Sequence, residues 1–474
     1  MGALYNDTWD QYDASSDGQS VQNILARYRD IVELLSEELK NNALPYFIDW
    51  LTDNVTFVEI RTDTDEDAYT IFETMNDRGL NLTPTDMLKG YLLSKIELDN
   101  AKLEANKLWR DRIFELKKID KDEDLEFFRS WLRAKYAQTI RPGRAGAENE
   151  DFEKIATRFH HWVRDNKTNL GLSDSSQFFS FIKRDFIFFS TIYSRIDHAA
   201  NHFTNTLEHI FYLQKGGFAR SFYFALLMAP IQIGDDDQTV TRKLALVARF
   251  LETFLVNRAV NKRTLAYSSI RYTMFSLIKD IRNKSVQELA EILKSKVKNF
   301  DETLAGIMTL GLHGQNRRFT HFLLARITRH VEERCNIPSS FWDYVNSDLA
   351  KPYQIEHIWS DTFEAHKDEF TQSVEFDDFR NRVGDLILIP EGFNQSYGEL
   401  PYEQKLPHYY GQNMLAKTLS PQCYTGNPSF LRYVRDSGLP FSPHEHFKKN
   451  DLTQRQELYK KICEEIWSPN GFDV

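Results

Sequence analysis

Between Glu104 and Val331 apolar residues return every third and fourth position almost without a break, and this pattern limits what the chain can fold into. In DLEFFRSWLRAKYAQ and ARFLETFLVNRAV the Phe, Trp, Leu and Val side chains fall on one face of a helix, with charged residues opposite. TIRPGRAGAENE, rich in Gly, Pro and small residues, reads as an exposed loop, and IGDDDQ as a second break. No fixed repeat period runs through the region, so it is a helical domain and not a solenoid. A chain of 474 residues exceeds what one core holds and predicts two or three domains. With 41% hydrophobic and 14% aromatic residues, it has the material to fill those cores.

The flanks differ from this middle. Towards the N-terminus, NILARYRDIVELLSEEL carries helical spacing and NVTFVEIRT alternates like a strand. Ala68, Ile71, Phe72 and Met75 form a helical stripe that ends at the turn NDRG. A further helix then opens with clear punctuation: Thr83 to cap, Pro84 in the first turn, and Asp86 where a capping-box acid belongs. Towards the C-terminus, QIEHIW and DLILIP read as short strands and LTQRQELYKKICEEIW as a helix. The expected organisation is α+β but predominantly α-helical, with domains at 1–103, 104–334 and 335–474. No apolar run is long enough to span a membrane, and the polar, acidic start MGALYNDTWD is no signal peptide. Three scattered cysteines, Cys335, Cys423 and Cys463, form neither a disulfide framework nor a zinc site. These features predict a cytoplasmic protein with no membrane partner.

Hydrolysis of a phosphodiester needs an activated water and charge stabilisation on the phosphate and the leaving oxygen. A histidine supplies the base, and one Mg²⁺ or Mn²⁺ on hard oxygen ligands supplies much of the rest. The C-terminal region offers candidates in order: Glu356 and His357 ending the first strand, Asp385 after Gly384, Asn394 in GFNQSYGEL, and Lys405 in YEQK. Neighbouring strand residues point to opposite faces, so a bend is needed to aim Glu356 and His357 together. Glu356 and His357 are also compatible with an ordinary strand edge.

The run I-E-H-I, V-G-D-L-I-L-I, F-N-Q-S and E-Q-K resembles the C-terminal HNH nuclease domain of the GmrS/GmrD-type modification-dependent (type IV) restriction enzymes. DAYTIFETMNDRGLNLTPTDMLKGYLL resembles the ParB-like, nucleotide-binding N-terminal domain of the same family. The resemblance implies a partial ParB-like domain, a helical middle and a ββα-metal HNH domain. It implies a metal-dependent endonuclease of anti-phage defence, acting on DNA, including modified phage DNA. By the same resemblance His357 is the general base, Glu356 and Asn394 are metal ligands, and Lys405 contacts phosphate. Asp385 stands where the family has the asparagine of a G-N-L turn; it would orient the histidine and raise its pKa. Trp359 and Ser360 replace a proline-containing turn. The family's D-G-Q-Q-R run is absent upstream of NDRG: Asp17-Gly18-Gln19 continues with Ser20-Val21 instead. Asn76, Asp77 and Arg78 would line the nucleotide site, so GTP or ATP is expected to be used only if a separate polypeptide completes that domain. The alternative is a non-catalytic interaction subunit of a defence complex. An RNA-directed nuclease is a further possibility, because this chemistry does not distinguish the sugar.

A net charge of −10 places any DNA-binding surface in a local excess of Lys and Arg. Residues 351–450 hold 10 basic against 14 acidic residues, whereas 242–298 hold 13 against 4. Arg258, Lys262, Arg263 and Arg271, with Arg317 and Arg318 further on, are therefore the candidate phosphate contacts, against the reading that they are solvated helix faces.

Overall fold

The computed structural model describes residues 12, 19–56, 82–301, 303–393 and 400–473. Helix dominates, and the sheet found among the described residues has two strands. The chain divides into two compact units, 1–68 and 69–474.

In the first unit, α1 (Gln19–Leu34) is followed by a wide helical turn at Leu39–Ala43 and by α2 (Leu44–Asn54). A proline in the first turn of α2 suits positions whose N–H groups have no helical partner. From Phe57 to Asn81, which includes most of the expected strand and the stripe Ala68 to Met75, the chain lies outside the described residues.

The second unit opens with α3 (Pro84–Ser94), and its punctuation is as predicted. Thr83 Oγ1 accepts from the Asp86 amide at 3.2 Å and donates to the Asp86 carboxylate at 2.7 Å. Helices Asp99–Lys117, α4 (Glu123–Lys135), Asp151–Asp165 and Ile187–Asn201 then surround an aromatic core. Phe127, Phe128 and Trp131 on α4 are fully buried, and Trp109 stacks on Phe186 with ring centres 4.7 Å apart. Such pairs add about 0.5–1.5 kcal/mol each beyond the area they bury. The stretch 139–150 is a loop between two of these helices, and 231–236 is a break, as expected.

Further along, α5 (Glu208–Lys215), α6 (Asp237–Val260) and α7 (Arg317–Arg334) meet around the fully buried Glu252. Its carboxylate accepts from Arg326 Nε at 2.8 Å and bonds to His209 Nδ1 at 2.5 Å. Burial alone would raise its pKa; Arg326 and His209 outweigh that and hold it at about 2.

β1 (Tyr353–His357) pairs antiparallel with β2 (Leu386–Pro390), placing Glu356 opposite Ile387 and His357 opposite Leu386. Between them lies α8 (Ser373–Arg380), and after them α9 (Tyr402–Tyr409) and α10 (Lys449–Ile466). Leu386 to Ile389 are all buried, which is why β2 reads as a continuous apolar run and not an alternating one. α10 clamps the start of β2. Tyr459 donates to the Leu386 carbonyl at 2.9 Å, and a Cβ added at Gly384 would sit 2.4 Å from the Leu452 carbonyl oxygen. Gly384 is there because the α10 backbone leaves no space for a side chain. Cys335, Cys423 and Cys463 are buried and unbridged, and no described helix is long and apolar enough to cross a membrane.

Candidate functional site

Strand alternation sends Glu356 and His357 to opposite faces of the hairpin end. Glu356, 2% exposed, faces α9. Its Oε1 accepts from Lys405 Nζ at 2.8 Å and from the Tyr409 hydroxyl at 3.2 Å. Lys405 and Tyr409 stand one helical turn apart, so both reach the same carboxylate. Lys405 also donates to the His357 carbonyl at 2.8 Å, pinning the strand end. Burial raises the Glu356 pKa and Lys405 offsets part of that rise. Lys405 is fully enclosed, with its ammonium committed to β1; it does not reach solvent where a phosphate would lie.

His357 turns towards α8. Its Nε2 lies 3.4 Å from Asn381 Oδ1, a long contact. Asn381 donates its own amide to the Asp377 carbonyl at 2.8 Å, which turns Oδ1 towards the ring. Nε2 is then the donor, and Nδ1 of the neutral imidazole carries the free lone pair. Burial, and then the nearby Arg380 guanidinium, push the ring down to about 4, so it is neutral at ordinary pH.

Asp385 is fully buried. Its Oδ1 accepts from the Trp359 amide at 3.1 Å, and its Oδ2 has no hydrogen-bond partner. Burial holds its carboxyl well above the usual range, partly offset by the Trp359 amide, Arg380 and Lys405. The expected effect of Asp385 on the histidine is therefore corrected. The ring's hydrogen bond runs to Asn381, and its pKa falls instead of rising, because burial and Arg380 dominate.

The structure thus gathers Glu356, Asp385 and Lys405 beneath the hairpin and sets His357 with Arg380 and Asn381. Asn394, and Asn76, Asp77 and Arg78, lie outside the described residues. Among the described residues no three His, Cys, Asp or Glu side chains converge as a metal cluster. Sequence reading missed Arg380, Asn381 and Tyr409. Tyr409 had a signal, its four-residue spacing from Lys405; Asn381 became visible only once the strand register placed α8 beside His357.

The basic candidates separate into two groups. Arg271 pairs with Glu153 at 3.2 Å, Arg258 donates to the Thr264 carbonyl at 2.9 Å, and Lys262 and Arg263 are exposed on the following turn. Arg317 and Arg318 instead open α7 and line a cavity of about 710 Å³ that also reaches Tyr353, Gln354 and Ile355 of β1.

Against known proteins, the N-terminal domain of the GmrSD restriction endonuclease matches residues 3–93, and the C-terminal domain of the GmrSD restriction endonucleases matches 299–462. No curated protein matches the chain. Matched in the family's order by both of its domain models, over more than half of its length, the chain belongs to the GmrSD restriction endonuclease family.

Proposed function

We propose that this chain is a DNA endonuclease of the modification-dependent restriction type, that its region 335–474 is the hydrolytic domain, and that His357 is the general base. The observation that carries this reading is the placement of His357: it ends β1 beside Arg380 and Asn381, and the 3.4 Å contact of Nε2 with Asn381 Oδ1 leaves Nδ1 as the proton acceptor. Nδ1 takes a proton from water as the water oxygen attacks phosphorus; the P–O bond to the leaving sugar oxygen breaks, and that oxygen is protonated from solvent. The order β1, β2, α9 supports a ββα reading of the HNH type. Family membership supports DNA as the substrate, and phage DNA carrying modifications as its source.

A divalent ion belongs to this proposal, and one feature fits it: Asp385 Oδ2, buried and unpartnered, within electrostatic range of Glu356. Glu356 and Asp385, with Asn394, would be the hard-oxygen donors for Mg²⁺ or Mn²⁺. When bound, such an ion supplies charge stabilisation on the phosphate and the leaving oxygen. The second reading, a non-catalytic subunit of a defence complex, draws on Glu356 being held by Lys405 and Tyr409 instead of facing the His357 side.

Purified His357→Ala protein decides between them. Loss of the base should lower the cleavage rate about 10²–10⁴-fold with DNA affinity unchanged; wild-type cleavage by the variant would remove the assignment. The N-terminal part is proposed to be ParB-like and not to turn over GTP or ATP as this chain alone. Robust nucleotide turnover by the chain alone would contradict that.

A further inference from the structure

The cavity between α5, the start of α7 and the first residues of β1 is lined by Lys215, Arg317 and Arg318 and by no aspartate or glutamate. Many cations elsewhere on the molecule have acidic partners, such as Lys296 with Asp280 and Lys448 with Asp368. Here the compensation is different. The Lys215 ammonium lies over the rings of Trp342 and Phe211, 4.5 and 5.2 Å from their centres. The Arg318 guanidinium donates to the carbonyls of Gln214 and Lys215, at 2.6 and 3.2 Å. Gly217, at φ +84°, lets the Arg318 side chain lie across the end of α5, where a Cβ would come within 3.3 Å of it. Burial and Arg318 both lower the Lys215 pKa, and Asp348, exposed and outside the cavity lining, offsets only part of this. Arg317 is exposed, and its side chain makes no hydrogen bond or ion pair among the described residues. Cations gathered in a lining that holds no acid repel one another in the free protein, and an entering anion relieves that repulsion.

The cavity floor includes Tyr353 to Ile355, and His357 ends the same strand. Strand rise puts His357 about 13 Å from Tyr353, close enough for one DNA strand to pass both. We propose that this cavity holds the phosphate backbone of the DNA strand that flanks the bond cut at His357. The cavity sets how much flanking strand the substrate must have. This rests on the nuclease reading for the position of the cut, but not for the binding itself.

The test is fluorescence anisotropy on the full chain in EDTA, over a salt series, with labelled duplexes of about 20 and about 6 base pairs. The variants are Arg317→Glu and Lys215→Met, the latter keeping an aliphatic stem against Trp342. Each is checked for folding by thermal melting, and Lys215→Met carries the test if Arg317→Glu does not fold. Each should weaken binding on all sequences alike and lower the salt slope by about one unit. The short duplex should bind the wild type more weakly than the long one. Unchanged affinity and slope in the folded variants would overturn the proposal. So would full competition by inorganic phosphate or dTMP with no dependence on duplex length, which would mark a site for a single phosphate group. Cleavage of the long duplex by wild-type protein with Mn²⁺ is scored separately. No cleavage together with intact slope losses removes the nuclease reading alone; cleavage with no slope loss removes the cavity alone.

Discussion

Removing the ammonium of Lys405 leaves the Glu356 carboxylate enclosed without its nearest counter-charge. Both side chains are almost fully buried, and breaking such a pair from one side costs about 3–5 kcal/mol. Lys405→Met should therefore lower the unfolding free energy by that amount in urea titration. The double variant with Glu356→Gln should lose clearly less than the sum of the two single losses. Additive losses would mean that the pair does not couple β1 to α9. The identities of Glu356, His357 and Asp385 as candidates were legible in the sequence because an acid beside a histidine, and a turn glycine before an acid, are local patterns. Their partners were not legible. Lys405 lies far along the chain from Glu356, and alternation shows that Glu356 and His357 diverge without showing which of them faces α9. Charge counting could not foresee that Arg271 is paired with Glu153 and Arg258 with a backbone carbonyl.

Among the elements, the contact between α10 and the start of β2 offers the clearest substitution. Gly384→Ala would place a methyl 2.4 Å from the Leu452 carbonyl oxygen and 3.1 Å from Gln456 Cβ. Overpacking of this kind typically costs about 1–3 kcal/mol. A melting temperature unchanged from wild type would show that α10 yields freely at this point. The strands themselves were readable, since DLILIP is too short and too apolar for anything but a buried strand between turns. So was the start of α3, where Thr83, Pro84 and Asp86 each do one local job. The packing of α10 on Gly384 was not: a glycine before an acid looks like a turn, and only tertiary structure distinguishes a turn from a close backbone approach.

At the scale of the whole molecule, acid should loosen the fold. His160, His321, His330, His357, His366 and His444 all have pKa values below 6.5, burial being the first cause in each case. Each ring binds its proton less readily folded than unfolded. Stability is therefore full above pH 6.5 and falls as the pH drops; for His160 and His357 the window extends to about 4. Glu123, Glu356 and Asp385, raised by burial, act in the opposite sense over part of this range. Thermal melting should show a falling midpoint from about pH 7 to about pH 5; a flat or rising midpoint would contradict the buried neutral rings. The clamp of α10 on the hairpin has a consequence for the cell that makes this chain. Ribosomes release β1, α8 and β2 before α10, and at about 5–20 residues per second the interval lasts several seconds. Until residues 449–466 emerge, the Leu386 carbonyl lacks its Tyr459 bond and Gly384 faces no helix. A polypeptide stopped by a nonsense codon before Lys449 should therefore lack the contacts that fix the start of β2 and the hairpin end beside it.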